Sequence, residues 1–210
     1  MPKAHKNISG LYAICDPAFS KGRDILEVAS EVIRGGARVI QLRDKARTIR
    51  ELYPVALELA RLANENSALF VVNDSVELAM AVGADGVHLG QGDFPLKAAR
   101  KAVGDEMLIG ISTHCLEEAI AAQEEGADYI GYGPMYKTST KDAGVPKGVE
   151  GLRAIRERII IPIVAIGGIN ANNAAEVITA GADAVAVISA VSEADDIYMA
   201  AAGIAGYFKA

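Results

Sequence analysis

GADGVHLG, residues 83–90, is the stretch on which the fold turns. A glycine and an alanine lead through a polar residue into a short apolar run. Glycine suits the left-handed backbone position that ends a helix, and the run after it reads as a buried strand. The pattern recurs as GARVIQLR (36–43), GADYIGYG (126–133) and GADAVAVIS (181–189). Each copy marks a helix ending and a strand beginning. Four further apolar runs fill the alternate slots: LYAICD from Leu11, LFVVND from Leu69, LIGIST from Leu108 and PIVAIGG from Pro162. The intervening segments have helical spacing, as in ILEVASEVIRGG (25–36), ELYPVALELARLANEN (51–66) and CLEEAIAAQEEG (115–126). Pro54 falls in the first turns of the second of these, where proline is tolerated.

Strands alternating with helices in this order make βα units and a parallel sheet. The strands lack clean polar alternation, as expected when both faces of a sheet are covered. Eight units fit an α/β chain closed into a (β/α)₈ TIM barrel, and 210 residues lie at the short end of the barrel range of roughly 200 to over 400. An open doubly wound sheet is the competing arrangement. No G-x-G-x-x-G follows the first strand, and the fourfold periodicity favours closure. No linker or composition shift divides the chain. The expectation is a single domain over 1–210, with 1–10 as an N-terminal extension and 11–210 as the barrel.

The apolar share of 51% supports a sizeable core and argues against disorder. A net charge of −6 without a basic run argues against a nucleic-acid partner, while leaving room for small phosphorylated ligands. Cys15 and Cys115 have no C-x-x-C or histidine spacing and read as free thiols in a reducing compartment. MPKAHKNIS is polar with no apolar segment of a signal peptide behind it, and no apolar run reaches the roughly 18 residues of a membrane span. A cytoplasmic protein without membrane contact is expected. Whether it forms a homo-oligomer is left open by the sequence.

In a barrel the active site lies at the C-terminal ends of the strands. Here those ends carry Gln41-Leu42-Arg43-Asp44-Lys45, Asn73-Asp74, His88 to Asp93, Ser112-Thr113-His114, Thr138-Ser139-Thr140-Lys141, Gly167-Gly168-Ile169-Asn170 and Ile188-Ser189. Only the first strand is poor, with Asp16. Gly167-Gly168 and Ser189 follow strands 7 and 8, where barrels often bind phosphate through backbone N–H groups; two tight turns are the plainer reading. The hydroxyls of the strand 6 loop can donate to phosphate and its lysine can neutralise it. Asp74 and Asp93 offer hard oxygens for Mg²⁺ beside a phosphorylated substrate, although a helix should start near Asp74 and aspartate caps well. Asp44 follows Arg43, so an ion pair is its plain reading. Gln41, Arg43 and Lys45 alternate onto one side of an extended segment. His88 reads as a residue of the barrel wall. His114 reads equally as a helix-start residue or an acid–base group. No nucleophile motif and no zinc cluster is present. A site rich in anion clamps and poor in nucleophiles points to phosphoryl or diphosphate departure aided by electrostatics.

QLRDK, VVNDS, GVHLGQGD, IGIST, GPMYKTSTKDAG, AIGGIN and AVAVIS together resemble the thiamine-phosphate synthase family, over about 11–192. The resemblance implies a transferase that condenses 4-amino-2-methyl-5-(diphosphooxymethyl)pyrimidine with a (carboxy)thiazole phosphate, giving thiamine phosphate and diphosphate. It also implies that diphosphate leaves first and that the thiazole nitrogen attacks the resulting pyrimidine methylene cation. Residue by residue, it implies that Gln41, Leu42, Arg43, Asp44, Lys45, Asn73, Ser112 and Lys141 bind the pyrimidine diphosphate. Of these, Arg43, Lys45, Ser112 and Lys141 act in catalysis. Thr138, Ser139, Thr140, Gly168, Ile188 and Ser189 would bind the thiazole phosphate, and Asp74 and Asp93 would bind Mg²⁺. A thiazole tautomerase using a histidine, a non-catalytic phosphate-sensing barrel and another phosphate-handling barrel enzyme are the rivals. The intact diphosphate clamp and paired aspartates speak against all three. The loop 137–147 is the candidate lid.

Overall fold

The structure, a computed structural model, describes residues 7–138, 140 and 144–208. Eight parallel strands close into a barrel in chain order: β1 Gly10–Cys15, β2 Ala37–Leu42, β3 Leu69–Asn73, β4 Gly86–Leu89, β5 Leu108–Thr113, β6 Tyr129–Tyr132, β7 Ile163–Ile166 and β8 Ala184–Val187. The last strand pairs with the first, Gly10 opposite Ala184 and Ala13 opposite Val187. The helices are α1 Ile25–Arg34, α2 Ile49–Glu65, α3 Val76–Val82, α4 Leu96–Val103, α5 Leu116–Glu124, α6 Gly148–Arg156, α7 Ala174–Thr179, α8 Ser189–Ser192 and α9 Ile197–Ala205. The last unit therefore carries two helices rather than the expected one. Ile8 is buried against the barrel interior, so the chain is already packed ahead of β1.

The repeat acquires a physical reason at the base of the barrel. Its glycines at 36, 83, 126 and 181 all have positive φ, between 65° and 112°, so the chain can leave each helix sharply. The aspartate two residues later extends the ladder into the preceding strand. Asp85 accepts from the Phe70 N–H at 3.0 Å, Asp128 from Ile109 at 2.6 Å and Asp183 from Ile163 at 2.8 Å. Arg100 and Arg156 neutralise Asp128 and Asp183. These contacts lie at the N-terminal face, where a barrel gains stability rather than chemistry.

Side chains alternate along every strand. One set, including Val87, Ile109 and Ile130, packs outward against helix faces such as Val28, Leu59 and Leu152. The other, including Tyr12, Val39, Val71, Tyr129 and Val164, fills the barrel interior. α2 starts at Ile49 behind a Thr48–Glu51 capping box, two residues earlier than its spacing suggested. Pro54 is therefore the sixth helical residue and withholds an N–H from the Arg50 carbonyl. Both residues are exposed, so water can satisfy that carbonyl. No helix among the described residues is long and apolar enough to cross a membrane.

Candidate active site

The C-terminal mouth of the barrel holds a cavity of about 840 Å³, open space at its rim included. Gln41, Arg43, Asn73 and Ser112 line it from β2, β3 and β5. Thr138 and Thr140 line it from the loop after β6, and Gly167 and Ile188 from the ends of β7 and β8. Ser189 follows Ile188 as the first residue of α8. Residues spread over about 150 positions of sequence thus meet because every strand end points the same way. Ser139 and Lys141 lie outside the described residues.

The cationic side is anchored by acids. Arg43 is ion-paired to Asp16, whose side chain is only 3% exposed at the end of β1. Asp16 also accepts from the Ala18 N–H at 3.0 Å, which starts a short 3₁₀ turn over Pro17–Phe19. The strand that looked poorest in polar residues therefore supplies the group that holds the guanidinium. Lys45 reaches Asp74. Asp44 pairs with Arg47 at 2.6 Å, not with its neighbour Arg43. It also accepts from the Ala46 and Arg47 N–H groups. Burial raises the Asp44 carboxyl, but these bonds outweigh it and leave its pKa below the ordinary value. Leu42 turns its side chain out into the helix-facing core, so only its backbone is presented toward the mouth.

Asp74 does not cap a helix. Ser75 caps α3, accepting from the Leu78 N–H at 3.0 Å. Asp74 instead has φ of 64°, a left-handed conformation that costs a non-glycine residue about 1–2 kcal/mol. Its N–H is fixed to the His88 carbonyl at 2.8 Å. This local strain turns the carboxylate toward Asp93, whose own Oδ2 accepts from the Gly90 N–H at 2.6 Å. Burial raises the Asp74 pKa, Lys45 opposes that, and hydrogen bonding and repulsion from Asp93 add to the rise. Among the described residues no cluster of three or more His, Cys, Asp or Glu could hold a metal. Two converging carboxylates suit an ion that takes its remaining ligands from water and phosphate oxygens.

Opposite this pair, the loop after β6 is bonded onto the turn after β7. Met135 N–H donates to Ile166 at 2.8 Å and Tyr136 N–H to Gly167 at 2.9 Å. Gly168 has φ of 68°, and a Cβ there would lie 2.7 Å from the Lys137 carbonyl oxygen. Thr138 and Thr140 hydroxyls are 2.9 Å apart. The far end of the loop returns through Lys147 N–H to Pro134 at 2.8 Å. Sequence alone did not single out Tyr12 and Tyr129, which line the cavity and whose hydroxyls lie 3.1 Å apart. It left His114 undecided. The ring lines the cavity, and its Nδ1 lies 3.0 Å from Glu118 Oε2.

Residues 11–191 match the family described as thiamine monophosphate synthase. The chain belongs to that family. It is 51% identical to the thiamine-phosphate synthase of Methanospirillum hungatei over 189 residues, covering 90% of this chain and 92% of that one. It is 50% identical to the thiamine-phosphate synthase of Chloroflexus aurantiacus over 192 residues, 91% of this chain and 88% of the other. The solved thiamine phosphate pyrophosphorylase from Pyrococcus furiosus superposes with a TM-score of 0.90 at 43% identity, covering 97% of this chain and 96% of that one. Every strand of this thiamine monophosphate synthase family member, apart from the first residue of β1, falls inside the matched range.

Proposed function

We propose that the protein is a Mg²⁺-dependent thiamine-phosphate synthase. It would join 4-amino-2-methyl-5-(diphosphooxymethyl)pyrimidine to a thiazole phosphate and release diphosphate. The observation that carries this reading is the convergence of Arg43, the strand-end polar groups Gln41, Asn73 and Ser112, and the Thr138 and Thr140 hydroxyl residues on a single cavity, in a chain of this family.

Arg43 and Lys45 hold the diphosphate of the pyrimidine substrate, with Lys141 assigned to the same group from sequence alone. Gln41, Asn73 and Ser112 orient the pyrimidine, and Asp44 with the Leu42 backbone keeps the segment in place. Thr138 and Thr140 face the thiazole, with Ser139 assigned to it from sequence alone, and Gly168, Ile188 and Ser189 take its phosphate. Asp74 and Asp93 would hold the Mg²⁺, which supplies charge neutralisation to the departing diphosphate. The bond from the pyrimidine methylene to the diphosphate oxygen breaks, with its electron pair leaving on oxygen. The thiazole nitrogen then donates its lone pair to the methylene carbon. No enzyme nucleophile is needed, and the chain's contribution is to bind negative charge that grows in the transition state.

The test is a coupling assay with both phosphorylated substrates, with Mg²⁺ or with chelator, detecting thiamine phosphate. Metal-dependent product supports the synthase. Isomerisation of the thiazole without coupling would instead favour the tautomerase reading, for which the Glu118-oriented His114 at the cavity wall is the supporting feature.

A further inference from the structure

Five polar side chains cross the barrel in series. Gln41 Nε2 donates to the Tyr12 hydroxyl at 2.6 Å. The Tyr12 and Tyr129 hydroxyls are 3.1 Å apart. The Tyr129 hydroxyl lies 3.1 Å from His88 Nδ1, and His88 Nε2 lies 2.9 Å from Ser112 Oγ. The two ends are residues assigned above to the pyrimidine diphosphate. The middle three have no role yet.

The barrel is shaped around the middle of this series. His88, Gly110 and Tyr129 stand in register on β4, β5 and β6. A Cβ on Gly110 would sit 2.1–2.5 Å from the Tyr129 ring. A Cβ on Gly131 would sit 3.0 Å from His88 Cε1 and 3.3 Å from its Nε2. Glycine weakens a strand interior and marks close approach. Here two of them leave the space that two polar rings occupy.

The series has one polarity once its first donor is set. Tyr12 oxygen accepts from Gln41, and the buried Tyr12 proton needs an acceptor, which the Tyr129 oxygen 3.1 Å away supplies. Tyr129 then donates to His88 Nδ1. An imidazole that accepts at Nδ1 carries its proton on Nε2, and that proton goes to Ser112 Oγ. The Ser112 O–H is left to donate into the cavity, and the Gln41 amide oxygen is left to accept. Burial raises the phenol pKa of Tyr12 and Tyr129 well above the ordinary value, so both stay protonated. An aminopyrimidine offers an amino donor and ring-nitrogen acceptors, the complement of these two ends.

We propose that His88, with its tautomer set through Tyr129 and Tyr12, is a positioning residue that fixes Ser112 as a hydrogen-bond donor to the pyrimidine diphosphate and Gln41 as an acceptor. The proposal rests on the synthase reading for the identity of that ligand. The reverse polarity would require Gln41 to turn its amide and His88 to carry its proton on Nδ1.

The first test needs no activity. Two-bond ¹H–¹⁵N spectra of the histidine rings in the ligand-free full chain, with His88 assigned by its loss in His88→Gln, should show a neutral ring protonated on Nε2. A ring protonated on Nδ1, or on both nitrogens at neutral pH, overturns the proposal. The second test is kinetic. His88→Phe should lower kcat/KM for the pyrimidine diphosphate about tenfold, the loss of one hydrogen bond between neutral groups, with the thiazole phosphate KM unchanged. His88→Gln, whose amide nitrogen can replace Nε2, should recover most of that loss. Tyr129→Phe keeps its ring volume and should both disturb the His88 tautomer and lower the same parameter, which covers a His88→Phe chain that does not fold. Equal effects on both substrates, or effects that follow thermal stability alone, overturn the positioning role. A wild-type chain that forms no thiamine phosphate sinks the synthase reading and the ligand named here, while the tautomer is still read directly.

Discussion

Gly168→Ala tests the proposed phosphate side of the site most sharply. The backbone there has φ of 68°, and the added Cβ would meet the Lys137 carbonyl oxygen at 2.7 Å and Tyr136 Cβ at 2.8 Å. Ordinary contact begins near 3.4 Å, so the 136–137 backbone must retreat by about 0.7 Å. The left-handed conformation alone costs alanine about 1–2 kcal/mol. A displacement approaching 1 Å in a substrate-positioning segment costs up to about a hundredfold in rate. We therefore expect a stability loss of about 1–2 kcal/mol or somewhat more, with kcat/KM for the thiazole phosphate down on the order of ten- to a hundredfold. The control is Gly83→Ala. Gly83 has nearly the same φ, 65°, but a Cβ there meets nothing within 4 Å, and the residue sits at the end of α3 away from the mouth. It should lose similar stability and no activity. Urea unfolding gives the first quantity and steady-state kinetics the second. A Gly168→Ala enzyme with wild-type thiazole kinetics, or a Gly83→Ala enzyme with the same kinetic defect, would refute the reasoning.

Asp16→Ala removes the carboxylate from a largely buried ion pair and leaves the Arg43 guanidinium without it. Stability should fall by about 2–3 kcal/mol, below the full cost of breaking a deeply buried pair because Arg43 is 19% exposed; the pyrimidine diphosphate KM should rise while the thiazole KM holds, and equal changes in both would count against the anchoring role. Asp74→Asn should leave the metal-free protein as stable or more stable at neutral pH. A raised carboxyl pKa means that the folded state holds the proton more tightly than the unfolded one, so the ionised form is a net cost above that pKa and the cost disappears as pH falls below it. The same variant should lose the Mg²⁺-induced rise in melting temperature, and a rise equal to that of the wild type removes Asp74 from the metal site. Cys15 is buried, and burial with the nearby Asp16 charge pushes its thiol up to about 12. Iodoacetamide at pH 8 should therefore modify only the half-buried Cys115 in the folded protein; rapid labelling of Cys15, read by peptide mass, would contradict its burial.

The sequence by itself determined the architecture. GA-strand repeats alternate with helical segments, and local rules of helix termination and strand burial are enough to count eight units and close them. Most candidate groups were legible too, because a barrel gathers its strand ends at one mouth and chemistry-bearing residues at those ends need no finer geometry to be noticed. Which groups hold which was decided by backbone geometry, local in some cases and between distant strands in others. Asp16 looked minor on the first strand until the pairing of β1 with β2 brought the β2 end, with Arg43, beside it. Asp44 found Arg47 through a local turn rather than Arg43. Asp74 read as a metal ligand with a helix cap as the alternative, and its left-handed backbone and the Ser75 cap remove the alternative and turn it toward Asp93. Tyr12, His88 and Tyr129 are more than forty residues apart in turn, and nothing in their neighbours marks them as polar partners. Hydrogen bonds between distant strands depend on register and on which face a residue takes, and those are fixed only when the sheet closes.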